Sequence, residues 1–251
     1  MIDLEFRGEV AVLTMRHGKA NAMDTTFCED ILKRLDELRT SAARAVVVTG
    51  QDNIFSAGVD LVRALDGGPD YFKTFLPPLR RAFEAVFFYE KPIVAAVNGH
   101  AMAGGCVLTC AADRRLMAQG TGRIGITELL VGVPFPVIAL EIMRFAAAPQ
   151  HFDRIVYSGA TFAPEAAVGL GLIDEVVPAD ALLVRAIAAA EAFAALGPEA
   201  FALTKRQLRE PVRERLARDG PRFDPAVDAI WYAPETAARI RDYVSRTFKK
   251  T

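Results

Sequence analysis

Two segments of the chain could build a site for developing negative charge out of backbone alone. Ser56-Ala57-Gly58-Val59-Asp60-Leu61 and Asn98-Gly99-His100-Ala101-Met102-Ala103-Gly104-Gly105 each place glycine-bracketed amides just after a short apolar run. Two N–H donors aimed at one oxygen stabilise charge that appears there in a transition state, and losing one such donor typically slows a reaction about 100- to 1000-fold. Either segment taken alone also reads as a tight strand-to-helix turn. Their presence in one chain is what brings an oxyanion hole into consideration.

Other chemistries find less support. Gly120-Thr121-Gly122-Arg123-Ile124-Gly125 has the glycine spacing of a dinucleotide fingerprint, but that motif needs its third glycine inside a long helix. Gly132 and Pro134 stop the helical pattern too soon. No G-x-S-x-G occurs, and His17, His100 and His151 stand in unrelated contexts: a strand end, a turn and a helix start. His17 and His151 read as surface or satisfied histidines, whereas His100, beside the glycines, stays open as a participant. Cys28, Cys106 and Cys110 lack metal-ligand spacing, no other cluster suggests a metal, and an odd set of cysteines without a secretory signal reads as reduced thiols.

The elements that must position these turns follow from the apolar pattern. Ile93 to Ala112 carries no Asp, Glu, Lys or Arg and has the length of a membrane span, since roughly twenty apolar residues cross a bilayer. Asn98-Gly99-His100 and Gly104-Gly105 interrupt it, so it divides into a strand, a turn and a buried helix. Val10–Met15, Ala45–Thr49 and Arg114–Ala118 read as strands, and Leu172 to Val177 as the last strand-like run. Thr26-Phe27-Cys28-Glu29 resembles a capping box opening a helix with Phe27, Ile31, Leu35 and Leu38 on one face. Asp66 to about Pro78, with Gly-Gly-Pro and Pro-Pro, reads as a mobile connection, and a helix runs from Pro136 to about Ala147. Helices are then expected over 179–196, 198–218 and 224–250, Pro234 interrupting the last. The apolar residues of that tail, Trp231, Ile240, Tyr243, Val244 and Phe248, need a surface, and a neighbouring subunit is one candidate.

Charge narrows the partners. With 30 basic and 31 acidic residues among 251, no global field invites nucleic acid or an anionic membrane. The first residues lack a signal peptide's apolar core and the last are no prenylation or peroxisomal tail, so the cytoplasm is the expected location.

KPIVAAVNGHAMAGGCVLTCAAD and FSAGVDL resemble the two diagnostic elements of the crotonase, or enoyl-CoA hydratase/isomerase, superfamily. Gly18-Lys19-Ala20-Asn21-Ala22-Met23 is similar to its N-terminal element, and Ala163 to Pro178 to its A-x-x-x-G-L-[IV]-D-x-V-V-P run. The resemblance spans essentially the whole chain. It implies an α/β fold: a ββα superhelix body over 1–195 holding the CoA site and catalytic residue, and a helical C-terminal trimerisation region over 196–251. It further implies that the amides of Val59 and Gly104 hold the thioester oxygen of an acyl-CoA, and that Lys19, Ala20, Ala57, Asp60 and Leu61 line the CoA path. Lys19 and Arg63 are candidate phosphate contacts, or simply solvated cations. Coenzyme A enters as part of the substrate, no other cofactor and no metal are implied, and a homotrimer or a hexamer of two trimers is expected.

One departure from the family pattern bears on the reaction. Hydratases of the family resemble one another in using two glutamates, and Val107 stands where the first would be, while Glu128 matches the second. Hydration requires a water to be deprotonated and a carbon protonated, which suits a pair of carboxylates. A single carboxylate suits a proton shift from C2 to C4, assisted if Leu129, Val131 or Phe135 makes an apolar pocket that raises its pKa. Enoyl-CoA isomerisation from a C3 to a C2 double bond is the implied activity. A hydratase with altered water activation, His100 included, and a non-catalytic acyl-CoA-binding protein are the alternatives.

Overall fold

The computed structural model describes residues 1–247, so Phe248 and the end of the expected 224–250 helix lie outside the described residues. Nine strands and ten α-helices are found there: β1 (Ile2–Arg7), β2 (Val10–Met15), α1 (Thr25–Arg39), β3 (Ala45–Thr49), β4 (Ile54–Ser56), α2 (Leu61–Phe87), β5 (Ile93–Val97), β6 (His100–Met102), α3 (Gly104–Cys110), β7 (Arg114–Ala118), β8 (Ile124–Gly125), α4 (Glu128–Val131), α5 (Val137–Ala146), α6 (Phe152–Ser158), α7 (Pro164–Gly169), β9 (Glu175–Val177), α8 (Leu182–Ala194), α9 (Pro198–Tyr232) and α10 (Pro234–Thr247).

The strands β3, β5 and β7 each enter one sheet, bend, and continue as β4, β6 and β8 in a second before a helix follows. The larger sheet has the order β1-β2-β3-β5-β7-β9, parallel except for β1 against β2, and the smaller is β4-β6-β8, all parallel. Parallel strands buried on both faces should be apolar throughout rather than alternating, and AVVVT and IVAAV are. Val46, Val48, Ala95 and Val97 face the main core, while Ala45, Val47, Val94 and Ala96 face a second layer closed by α8. This repeated ββα spiral with a helical tail is the expected α/β architecture.

Several local expectations are corrected. Asp24, not Thr26, caps α1, its carboxylate accepting from the Phe27 amide at 2.8 Å. The segment from Asp66 to Pro78 is helical rather than a mobile connection. It belongs to α2, which kinks at Gly68 (φ 63°, ψ −162°), where glycine tolerates the left-handed φ and Pro69 restarts the helix without losing a needed N–H. No break separates 218 from 224, because α9 runs through Pro211, Pro221 and Pro225 while packed on α2 and α5.

Four of the tail residues expected to need a surface find it within the chain itself. Trp231 and Ile240 are buried in the chain's own main core, Tyr243 and Val244 pack against it, and the Trp231 Nε1–H donates to the Pro134 carbonyl at 3.0 Å. Residues 196–247 thus share one core with the body and lie over α2, α4 and α5. Among the described residues, no helix is long and apolar enough to cross a membrane.

Candidate active site

The amides of Val59 and Gly104 are both released from the hydrogen-bond ladder, each by a different device. Met23 bridges the loop before α2, its N–H donating to Gly58 O at 2.7 Å and its carbonyl accepting from Asp60 N at 3.0 Å. A parallel bridge of this kind engages the residues flanking Val59 and turns Val59's own N–H the other way. Gly104 is the first residue of α3, where the N–H has no intrahelical acceptor. Among the described residues, neither amide donates to a protein acceptor.

What brings them together is close backbone approach. Gly58 has φ +81°, and a Cβ there would lie 2.7 Å from Met102 O, 2.8 Å from the Ala103 Cβ and 3.0 Å from Gly104 N. At Gly105 a Cβ would lie 2.4 Å from Ser56 O, so the glycine lets α3 settle onto β4. The joint between them is Ala103 at φ 50°, ψ −121°, the first central position of a type II′ turn, where glycine is the usual occupant. Its amide donates to Gly125 O at 2.8 Å, and its carbonyl accepts from Cys106 and Val107. A non-glycine residue held at such angles costs on the order of 1–3 kcal/mol, and such strain concentrates at functional sites.

Polar side chains clamp the loops beneath. Asn21, buried and itself at φ 46°, accepts from His17 N at 2.8 Å and donates to Phe55 O at 3.1 Å. The Ser56 hydroxyl donates to Asn21 O at 2.7 Å and accepts from Gly58 N at 3.2 Å. Asn98 accepts from Gly50 N and donates to the carbonyls of Gln51, Asp52 and Ile54, fixing the turn into β4.

Glu128 opens α4, three residues after Gly125 pairs with Met102, so it enters beside the Gly104 turn. The residue keeps partial exposure, yet its Oε2 is buried without a hydrogen-bond partner. Burial pushes the carboxyl up to about 7, and the backbone amides of Glu128 and Thr127 offset part of that rise. Val131 and Phe135 are buried nearby in sequence, as expected for an apolar surround, whereas Leu129 is 42% exposed and faces outward. Val107 is fully buried on α3. Its neighbour Cys106 is held above the usual thiol range by its hydrogen bond to Cys110 and by burial, with a smaller contribution from the field of Glu128.

The candidate CoA-path residues are only partly gathered. Ala57 N donates to Ala20 O at 3.0 Å, joining these two strips, and Lys19 is exposed beside them. Asp60 caps α2 by accepting from Arg63 N at 2.9 Å, and Leu61 is the first residue of that helix. Arg63 is exposed and stacks over the Tyr71 ring at 5.5 Å. Sequence reasoning overlooked Met23 and Phe83, whose Sδ and Cζ would lie 2.9 and 3.5 Å from a Cβ on Gly104. Met23 was legible only as part of the N-terminal element; Phe83 left no signal beyond its place on an apolar helix face. His17 is satisfied, its Nε2 lying 3.1 Å from Asp24, and His100 stands in β6 rather than in a turn. The fingerprint-like glycines end in β8, not in a helix.

The chain is similar to known proteins over most of its length. The family model described as enoyl-CoA hydratase/isomerase matches residues 5–221. A Thermus thermophilus protein provisionally named an enoyl-CoA hydratase is 33% identical over 213 residues, covering 83% of each chain. The mouse mitochondrial enoyl-CoA delta isomerase 1 is 26% identical over 221 residues, 87% of this chain and 76% of the relative. The crystal structure of human mitochondrial delta3-delta2-enoyl-CoA isomerase superposes with a TM-score of 0.93, covering 100% of this chain and 99% of that one at 22% identity. At that identity the likeness speaks to the fold.

Proposed function

The chain belongs to the enoyl-CoA hydratase/isomerase family, and on that premise we propose that it is an enoyl-CoA isomerase, moving a double bond from C3 to C2 of an acyl-CoA thioester. Glu128, ionised, takes the proton from C2, and the electron pair spreads into a dienolate. Its oxygen is met by the N–H groups of Val59 and Gly104. The protonated Glu128 then returns the proton at C4, the C2–C3 double bond forms and the thioester carbonyl is restored. Nothing is oxidised or reduced and no water is consumed, so the step needs no resident cofactor or metal. Lys19, Ala20, Ala57, Asp60 and Leu61 border the CoA path in this reading, with exposed Lys19 and Arg63 as its candidate phosphate contacts.

The observation that carries the reading is Glu128, whose buried Oε2 has no hydrogen-bond partner and whose carboxylate meets no cation among the described residues, together with a buried valine, Val107, at the position where the resemblance would put a hydratase's second acid. A base near neutrality in an apolar surround is what a carbon-to-carbon proton shift calls for. The likeness to the mouse isomerase supports it. The Thermus thermophilus relative favours a second reading, a hydratase with altered water activation, for which half-buried His100 is the nearby candidate. An acyl-CoA-binding protein without turnover is the third.

Purified protein given matched 3-enoyl-CoA and 2-enoyl-CoA, with isomerisation and hydration followed separately, separates the three. Isomerisation should dominate; faster hydration would establish the hydratase, and binding without either reaction the non-catalytic protein. We also propose a homotrimer or hexamer, supported by exposed Leu129, Tyr157 and Phe223, which line a largely apolar groove of about 420 Å3 between α4, α5, α6 and α9 with Glu141, Arg144 and Asp219 on its wall. Light scattering that returns a monomer would remove it.

A further inference from the structure

A second cavity, of about 280 Å3, opens at the other end of α3 from Gly104, between that helix, β7, α5, α8 and α9. Its floor is cationic. Arg115, Lys205 and Arg209 line it, and the one carboxylate on the wall is Asp113. Arg115 is spent on Asp174, with its NH2 2.5 Å from Oδ1 and its Nε 3.2 Å from Oδ2. Asp113 is shared by two cations, Lys205 Nζ at 2.6 Å and Arg209 NH2 at 2.7 Å, and also accepts from Ile93 N at 2.8 Å. The pair of cations is only 6% and 4% exposed. One positive charge therefore remains uncompensated in a buried setting, where an unpaired charge is costly.

Donors remain as well as charge. Lys205 gives one N–H to Asp113 and one to the Lys91 carbonyl at 3.3 Å, which leaves a third. Arg209 gives three of its five, to Phe87 O, Ala111 O and Asp113. Burial lowers Lys205 to about 8, against the raising field of Asp113, with Arg209 adding a smaller lowering contribution. The upper walls are apolar: Phe145, Phe193, Phe201 and Leu208, with Leu208 64% exposed at the rim.

We propose that this cavity binds a small monoanion with an apolar body, of the class of a free aliphatic carboxylate, its carboxylate on Lys205 and Arg209 and its chain along Phe145, Phe193, Phe201 and Leu208. One surplus positive charge selects a single negative one, and aromatic walls above a charged floor select a ligand that is polar at one end only. The residues lie at the Cys110–Asp113 end of α3, so a ligand here and a thioester at Gly104 occupy opposite ends of one helix.

The test is calorimetric titration of the intact chain with octanoate, alone and with saturating octanoyl-CoA. Octanoate should bind in both cases, about tenfold more tightly than octanol or inorganic phosphate. Lys205→Met, which leaves Asp113 paired with Arg209, should weaken octanoate at least about tenfold. Leu208→Glu adds a carboxylate at the exposed rim without touching the buried network and should weaken it similarly; it carries the test if Lys205→Met does not fold. Displacement of octanoate by octanoyl-CoA would place it in the thioester site and overturn the proposal. So would equal affinity in wild type and Leu208→Glu, or equal binding of octanol. None of these outcomes depends on whether Glu128 isomerises, hydrates or does neither.

Discussion

Glu128 and Glu141 are both acidic residues in helices, thirteen positions apart, each followed by two apolar residues, and each carries a carboxylate that folding removes from water. Glu141 on α5 is met by two arginines, Arg144 Nε at 3.3 Å from its own helix and Arg215 Nε at 2.5 Å from α9. Glu128 on α4 is met by none, and its Oε2 is left without a partner. A paired buried carboxylate is scaffold: its charge is spent and its position fixed. An unpaired one is costly to ionise, and that cost is what gives a carboxyl the proton affinity of a base working near neutral pH. The difference arises from what the rest of the chain delivers to each place, not from the glutamates themselves.

The largest effect should follow from removing the acid function at each position. Glu128→Gln keeps the shape but cannot accept a proton from C2, so isomerisation should fall by roughly 100-fold or more while acyl-CoA binding survives. Glu141→Gln should leave turnover per folded molecule within a few-fold of wild type. Steady-state rates with a 3-enoyl-CoA decide the matter; the reverse ranking would show that the partnered carboxylate is the reactive one.

Titration sharpens the contrast. If Glu128 is the base, turnover needs it ionised, so the rate should rise about tenfold per pH unit below about 7 and level off above it. Stability should move the other way. The native carboxyl holds its proton to about 7, whereas the unfolded chain releases it near the ordinary glutamate value of 4.5, so between those values the native state binds more protons. The contribution is present below about 4.5 and is lost as pH rises to 7, amounting to up to roughly 3 kcal/mol. Denaturant melts of wild type against Glu128→Gln across that window measure it, with the variant gaining relative stability toward the alkaline side. A flat difference would mean that the carboxyl is not desolvated.

How far these features could be read from the chain alone depends on their range. The candidate oxyanion amides were legible because glycines at 58, 104 and 105 mark both segments in the chain, although the backbone that a Cβ would meet, Met102 O at Gly58 and Ser56 O at Gly105, belongs each time to the other segment. The position of Glu128 was legible through family resemblance, but its lack of a partner was not, since that depends on α10 lying over α4 and on Arg215 of α9 reaching Glu141 instead. The proline-rich stretches misled for the same reason. Local propensity at Pro77, Pro78, Pro211, Pro221 and Pro225 argues for breaks, and the packing of α2, α5 and α9 on one another overrides it. The tail's apolar stripe was visible as a stripe, though the surface it covers, this chain's own body, was not.

A smaller effect should follow from breaking the scaffold pair. Glu141→Gln leaves Arg144 and Arg215 without a carboxylate, but their side chains are 52% and 33% exposed and water can take over. The loss should therefore be about 1–2 kcal/mol, below the 3–5 kcal/mol typical when a fully buried partner is stranded. Thermal melts at neutral pH give the number, and a loss above that range would show the α5–α9 contact to be more tightly sealed.

The smallest expected change asks whether a second acid can alter the chemistry. Val107→Glu places a carboxylate at a buried position of α3, where the family resemblance would put the first hydratase glutamate. Two neighbouring acids raise one another's proton affinity and can share a water, one deprotonating it while the other protonates carbon. The valine site is fully buried and α3 is packed tightly against β4, so the new group should enter protonated and cost several kcal/mol of stability. Hydration of a 2-enoyl-CoA should rise from baseline by no more than a few-fold in protein shown to be folded, with isomerisation as the internal control. If wild type already hydrates faster than it isomerises with Val107 in place, the unpaired Glu128 is not acting alone. Water activation must then come from a group outside the two carboxylates, and half-buried His100 on β6 is the first to replace.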